Sequence, residues 1–93
     1  MRLRWTTAAL NDLTQAQDYI AVDNPQAAQQ VAERIHEAAH TLKTSPEIGR
    51  VGEIPGTREW VIKRTPYLMV YRLRNESVEI LRLWHGSQNW RGD

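Results

Sequence analysis

Between Arg58 and Trp90 the chain carries the groups most able to do chemistry: Arg58, Arg72, Arg82, His85 and Trp90, interleaved with Tyr67, Tyr71 and Trp84. Arg50 stands just upstream. Cleaving an RNA phosphodiester through its 2′-hydroxyl needs a general base, a general acid and a cation for the extra phosphate charge. His85 has the side chain for acid or base work. Arg82, Arg72, Arg58 or Arg50 could hold the phosphate, and Tyr67, Tyr71, Trp84 or Trp90 could stack a base. The competing reading is structural: His85 ends a strand, Tyr71 and Trp84 fill a core, and the arginines face solvent. A third reading is binding without chemistry, because arginine with tyrosine and tryptophan is also what protein interfaces concentrate.

Other chemistries have less support. His36 and His40 are spaced i, i+4 on a predicted helix, yet no third ligand stands near them in the pattern, so no metal is expected. Gly49, Gly52 and Gly56 follow a helix rather than a strand and so do not form a phosphate-cradling loop. Ser45, Ser77 and Ser87 lie in turns or near ends, without a nucleophile elbow. No cofactor is expected.

The elements that position these residues follow from periodicity. Leu3 and Trp5 alternate with Arg2, Arg4 and Thr6, which predicts a strand over 2–6 with one buried face. Thr6 or Thr7 can cap a helix from Ala8 to Val22, with Leu10, Leu13, Ala16 or Gln17, and Ile20 as its apolar stripe. Asn24 is a good N-cap and Pro25 suits the first helical position. A second helix is therefore predicted from Pro25 to Thr44, its stripe being Ala28, Val31, Ile35, Ala38 or Ala39, and Leu42. Residues 46–57 read as an irregular connection, long enough to be functional or mobile. Three strands follow, over 58–64, 67–74 and 77–84, with Asn75-Glu76 as the last turn. In the final strand, Val78, Ile80, Arg82 and Trp84 are expected on one face, and Glu79, Leu81 and Leu83 on the other. The order β-α-α-β-β-β implies a single α+β domain over 1–93, a helical hairpin packed on one face of a small antiparallel sheet.

Composition sets bounds on this domain. Ninety-three residues without cysteine exclude disulfides and thiolate metal sites and fit a reducing, cytoplasmic setting. No apolar run approaches the roughly 20 residues of a membrane span. So short a chain buries only about 60–65% of the surface it exposes when unfolded, so a bound partner would add useful stability. The net charge of +1 is unevenly spread: residues 1–49 hold four basic and six acidic side chains, residues 50–93 eight and five. The basic half attracts phosphates or an acidic partner.

Several segments together resemble one family. They are Trp5-Thr6-Thr7-Ala8-Ala9-Leu10-Asn11-Asp12-Leu13, Tyr19-Ile20, Asn24-Pro25-Gln26-Ala27-Ala28, Leu42 with Ser45-Pro46, and Gly49-Arg50. Arg58-Glu59, Pro66-Tyr67-Leu68-Met69-Val70-Tyr71-Arg72, and Val78-Glu79-Ile80-Leu81-Arg82-Leu83-Trp84-His85-Gly86 complete the set. In this order and spacing the chain resembles the ParE/RelE superfamily of toxins from bacterial type II toxin–antitoxin systems, over nearly its whole length. The resemblance implies a toxin neutralised by a cognate antitoxin in a hetero-oligomer, and a role of the kind that plasmid-stabilisation systems use.

The superfamily divides by mechanism. RelE-like members are ribosome-dependent mRNA endonucleases, and ParE-like members that have been characterised inhibit DNA gyrase. RelE-like nucleases usually carry an arginine directly after the middle-strand tyrosine; here that residue is Leu68. They also tend to end in a basic cluster with a tyrosine, where this chain has Gly86-Ser87-Gln88-Asn89-Trp90. Pro66-Tyr67-Leu68 and His85-Gly86 look ParE-like, while Gln88 departs from the arginine that many ParE-like chains have there. The resemblance thus implies a gyrase inhibitor that acts by binding, with Arg50, Arg58, Arg72, Arg82, His85 and Trp90 as contacts to target or antitoxin. The alternative is a ribosome-dependent mRNA endonuclease with His85 and Arg82 as its catalytic pair. A further alternative is a non-toxic relative that only binds an antitoxin.

Overall fold

The structure, a computed structural model, describes residues 1–86. Trp90 and Gln88 lie outside the described residues. The elements are β1 (Arg2–Trp5), α1 (Thr7–Asp23), α2 (Pro25–Thr44), β2 (Arg50–Val51), β3 (Arg58–Val61), β4 (Tyr67–Arg74) and β5 (Ser77–His85). The five strands form one sheet in the order β1-β5-β4-β3-β2.

The caps are those the sequence indicates. The Thr6 hydroxyl accepts from the Ala9 amide at 3.1 Å to start α1. Asn24 does the same for α2, accepting from the Ala27 amide at 3.1 Å, with Pro25 at the first position. The buried stripe of α1 is Ala9, Leu13 and Ala16. Leu10, expected inside, is 48% exposed, because the helix turns its small alanine, not the leucine, toward β5. The stripe of α2 is Ala28, Ala32, Ile35, Ala39 and Leu42. Both helices lie on one face, packing Ala9, Leu13, Ala16, Ile35, Ala39 and Leu42 against Ile62, Tyr67, Met69, Tyr71, Val78, Ile80 and Leu83.

Three features differ from the sequence expectation. The sheet is mixed rather than antiparallel: β1 pairs parallel with β5, setting Leu3 opposite Val78 and Trp5 opposite Ile80. Periodicity identifies a strand's apolar face but not its neighbour, and β1 fills the edge where its face continues that of β5. Second, the 46–57 connection contains β2, which pairs Arg50 with Glu59 and Val51 with Arg58. Two residues are too few to show an alternation. Third, β4 and β5 change register: Tyr71 faces Ile80 but Val70 faces Arg82, leaving Leu81 as an extra residue. This bulge reverses the facing of everything after it. Leu83 joins the core, and Arg82 and Trp84 move to the face opposite the helices.

The β4–β5 turn is closed by Asn75 and Glu76, both at positive φ (51° and 60°), which suits the right-handed twist of a two-residue hairpin. Among the described residues no helix is long and apolar enough to cross a membrane.

Candidate functional site

The end of β5 is positioned from α1. Thr6 donates its hydroxyl proton to the carbonyls of Ile80 and Leu81, both at 3.0 Å, at the bulge. Its amide reaches the Ile80 carbonyl at 3.1 Å. There β1 ends, and among the described residues the edge of β5 beyond it has no strand neighbour. Asp12 covers that edge. Its carboxylate accepts from the Leu83 amide at 3.0 Å and from the Arg82 guanidinium at 2.7 and 3.0 Å. The pairing raises the Arg82 pKa above its ordinary value, the hydrogen bond it donates to Asp12 being the largest cause. The guanidinium also lies 5.2 Å from the centre of the Trp84 ring.

Beside this contact a cleft of about 450 Å³ opens between α1 and β5, lined by Asp12, Gln15, Tyr19, Tyr67 and His85 among others. The His85 and Tyr67 rings meet edge-on with centroids 5.4 Å apart. Burial, and then the neighbouring Tyr19, raise the Tyr67 pKa. Its phenol therefore keeps its proton at neutral pH and can donate a hydrogen bond, but it is no general base there.

The remaining candidates lie elsewhere. Arg58 donates to the carbonyls of Glu47 and Gly49 at 3.2 and 2.8 Å, clasping the loop before β2. Arg50 binds Glu59 through Nε and Nη2 at 3.2 and 2.9 Å, and the Glu59 side chain is only 1% exposed. Arg72 holds Glu79 at 2.6 Å. The structure thus brings Arg82 and His85 to one end of β5, sets Arg50 and Arg58 at the opposite edge of the sheet, and leaves Arg72 in a third place. Each arginine is tied to an intramolecular acceptor while keeping part of its surface in water. Asp12, Glu59 and Glu79 were not among the sequence candidates. The available signal was weak: acidic residues whose partners are set by register or by helix placement, not by spacing along the chain.

His36 and His40 are both exposed, and the His36 ring packs near Trp5 at 5.8 Å between centroids. Among the described residues no group of three or more histidine or acidic side chains is placed to hold a metal ion.

This geometry can be set beside known proteins. The family model for the ParE toxin of type II toxin–antitoxin systems matches residues 3–90. The chain belongs to the ParE toxin family. It is 43% identical over 89 residues to the Y4kP protein of Sinorhizobium fredii, covering 96% of this chain and 92% of that one. It is 39% identical over 84 residues to toxin RelE2 of Caulobacter vibrioides, covering 90% and 93%. A solved chromosomal ParDE toxin–antitoxin system from P. aeruginosa contains a chain that superposes with a TM-score of 0.82 at 30% identity, covering 91% of this chain and 95% of that one.

Within this ParE-family fold, the position after the middle-strand tyrosine has a defined setting. Leu68 is on the sheet face away from the helices, opposite Val61 on β3 and Trp84 on β5. It is 7% exposed, and Val70, two residues on, is 2% exposed. At this point of the ParE-type sheet the open face is an apolar row.

Proposed function

We propose that this toxin acts by binding DNA gyrase rather than by cutting RNA. The observation that carries the reading is Leu68 between Val61 and Trp84. A phosphate at that spot would lose its water against an apolar row, with no cation to replace it. A general-acid histidine at the end of β5 would lack the cation that stabilises the developing charge, an interaction worth several kcal/mol in a desolvated site. Arg82, the nearest candidate, is already engaged by Asp12. Contact residues on the target side would come from Arg82, His85 and Trp90, with Arg50, Arg58 and Arg72 available to target or antitoxin.

A cognate antitoxin neutralises the toxin in a hetero-oligomer, as the relation to a ParDE toxin–antitoxin system supports. Its disordered segment lies along the helical hairpin and the sheet edge. Tyr19 and Val22, on α1, are 78% and 82% exposed, a costly arrangement for a free protein and a useful one for a covered helix. The setting is the cytoplasm, where gyrase works.

The deciding experiment is a supercoiling assay with purified gyrase and the purified chain. Loss of supercoiling at micromolar chain is expected. Unimpaired supercoiling at saturation, together with cleavage of translated mRNA, would replace this reading with the endonuclease one.

A further inference from the structure

A second charged site lies far from His85 and follows from strand register. On β1 and β4, flanking β5 on either side, Arg4 and Arg72 both stand opposite Glu79, and Arg2 and Arg74 both stand opposite Ser77. Their core-facing neighbours are Leu3, Leu73 and Val78, so the four arginines share the face away from the helices. They form a two-by-two array, about 10 Å across the strands and about 7 Å along them. Glu79 in the middle receives Arg72 at 2.6 Å and Arg4 at 3.9 Å, and it is only 12% exposed beneath them. Glu76, whose carbonyl accepts from the Arg2 amide, is the other carboxylate at the rim. The positive charge in the array therefore exceeds the local negative charge. The side chains of Arg4 and Arg72 are 70% and 39% exposed, and Arg2 and Arg74 are exposed.

We infer that this array is a docking surface for the phosphodiester backbone of a nucleic acid. Four arginines whose backbone positions are so spaced, two of them converging on Glu79, offer forked donors to phosphates, and phosphate contacts hold nucleic acid without reading its sequence. The chemistry argues against a peptide. Protein interfaces place aromatic or aliphatic anchors at their centre and deplete charge there. Nucleic-acid interfaces are far more positively charged. The centre of the array is Glu79 and Ser77, with no aromatic or aliphatic anchor; the apolar groups near it lie at its ends, with Val70 buried, Leu81 half-buried and Met1 at the rim. The site is about 20 Å along β5 from His85, so it is separate from the proposed target-binding end, and the inference does not depend on which target the toxin has.

Fluorescence anisotropy with a labelled 20-base-pair DNA duplex, without gyrase or antitoxin, tests it. Three to four phosphate contacts predict a slope of log K against log salt of about −3 to −4. Arg2→Gln/Arg74→Gln spares the Arg72–Glu79 pair and should reduce the slope by about 2 and weaken binding at 50 mM salt at least tenfold. Lys43→Gln/Lys63→Gln removes the same charge elsewhere and should leave binding within about twofold; far-UV circular dichroism checks that both variants fold. A single-stranded RNA should bind through the same array and lose affinity with the same double variant. The inference is overturned if the wild-type chain shows no salt-dependent binding, if both double variants weaken it equally, or if a poly-glutamate peptide displaces the duplex at equal charge concentration.

Discussion

Asp12 and Arg82, 70 residues apart in sequence, are joined by two hydrogen bonds of 2.7 and 3.0 Å. The same carboxylate accepts the Leu83 amide. One side chain of α1 therefore does the work of a missing strand at the β5 edge and fixes the direction of an arginine at the proposed target-binding end.

Removing that carboxylate should separate its two roles. Asp12→Ala leaves the Leu83 amide without its acceptor and Arg82 without its partner, and should cost about 1–3 kcal/mol. Asp12→Asn keeps one oxygen for the Leu83 amide and gives up the charge and the Arg82 Nη2 bond of a partly exposed pair, which should cost about 1 kcal/mol or less. Urea denaturation of the two variants against the wild-type chain checks the ranking. Equal losses would mean that the ion pair, not the amide, matters.

A buried tyrosine anchors the loop before β2. The Tyr71 hydroxyl donates to the Pro46 carbonyl at 2.7 Å and accepts from the Gly49 amide at 3.0 Å. Tyr71→Phe strands both groups and should destabilise by about 1–3 kcal/mol. At Gly49 a β-carbon would meet that hydroxyl oxygen at 2.6 Å and the Glu59 carbonyl at 2.9 Å, so Gly49→Ala should cost a similar amount through overpacking. The double variant should cost less than the sum of the two, because removing the hydroxyl relieves the shortest of three contacts, leaving the Tyr71 ring carbon at 2.8 Å and the Glu59 carbonyl. Denaturation midpoints of the three proteins measure the coupling.

The arginine array carries a pH signature. The hydrogen bond from Arg72 lowers the Glu79 pKa below the ordinary carboxylate value; desolvation, next in size, opposes it, and the charges of Arg72, Arg74 and Arg4 lower it further. A depressed folded-state pKa means that the folded protein binds fewer protons than the unfolded chain. The stabilisation is then present above the unfolded value, about 4.3, and is lost as pH falls through the folded one. The wild-type chain should thus be more stable than Glu79→Gln at pH 7, with the gap narrowing as pH falls below about 4 and shrinking in 1 M salt. Paired urea titrations under these conditions read it directly; a gap independent of pH would remove the electrostatic explanation.

His85 distinguishes binding from catalysis by magnitude. A general acid or base contributes about 10²–10⁴-fold, whereas most interface truncations cost about tenfold or less. His85→Ala should shift the concentration that half-inhibits gyrase by less than about tenfold and leave growth arrest intact on strong induction. Abolished toxicity with an unchanged fold would favour the nuclease.

Antitoxin binding should be sensitive to α1. Because Tyr19 and Val22 are almost fully exposed, Tyr19→Ala/Val22→Asp should leave the denaturation midpoint of the free chain nearly unchanged while weakening antitoxin binding at least tenfold. Isothermal titration calorimetry with the cognate antitoxin checks this. Unaltered affinity would move the antitoxin contact to the sheet edge alone.

Much of the architecture was legible in the chain because its determinants are local. Thr6 and Asn24 mark two helix starts through one hydroxyl and one amide oxygen, and Asn75-Glu76 marks the hairpin turn. Apolar residues on both faces of 67–74 point to a central strand, and it is central in the sheet. What required the tertiary structure is non-local: the parallel partner of β1, the bulge at Leu81, and the acceptor of each arginine. The bulge decides that Leu83 is core and Arg82 is not, and no composition rule announces an extra residue. The sequence by itself determined the elements other than β2, the family pattern and the presence of leucine at position 68. Only the tertiary structure decided where the charges meet, since pairs such as Asp12 with Arg82 or Arg4 with Glu79 exist only once strand register and helix placement bring distant residues within hydrogen-bond or ion-pair distance.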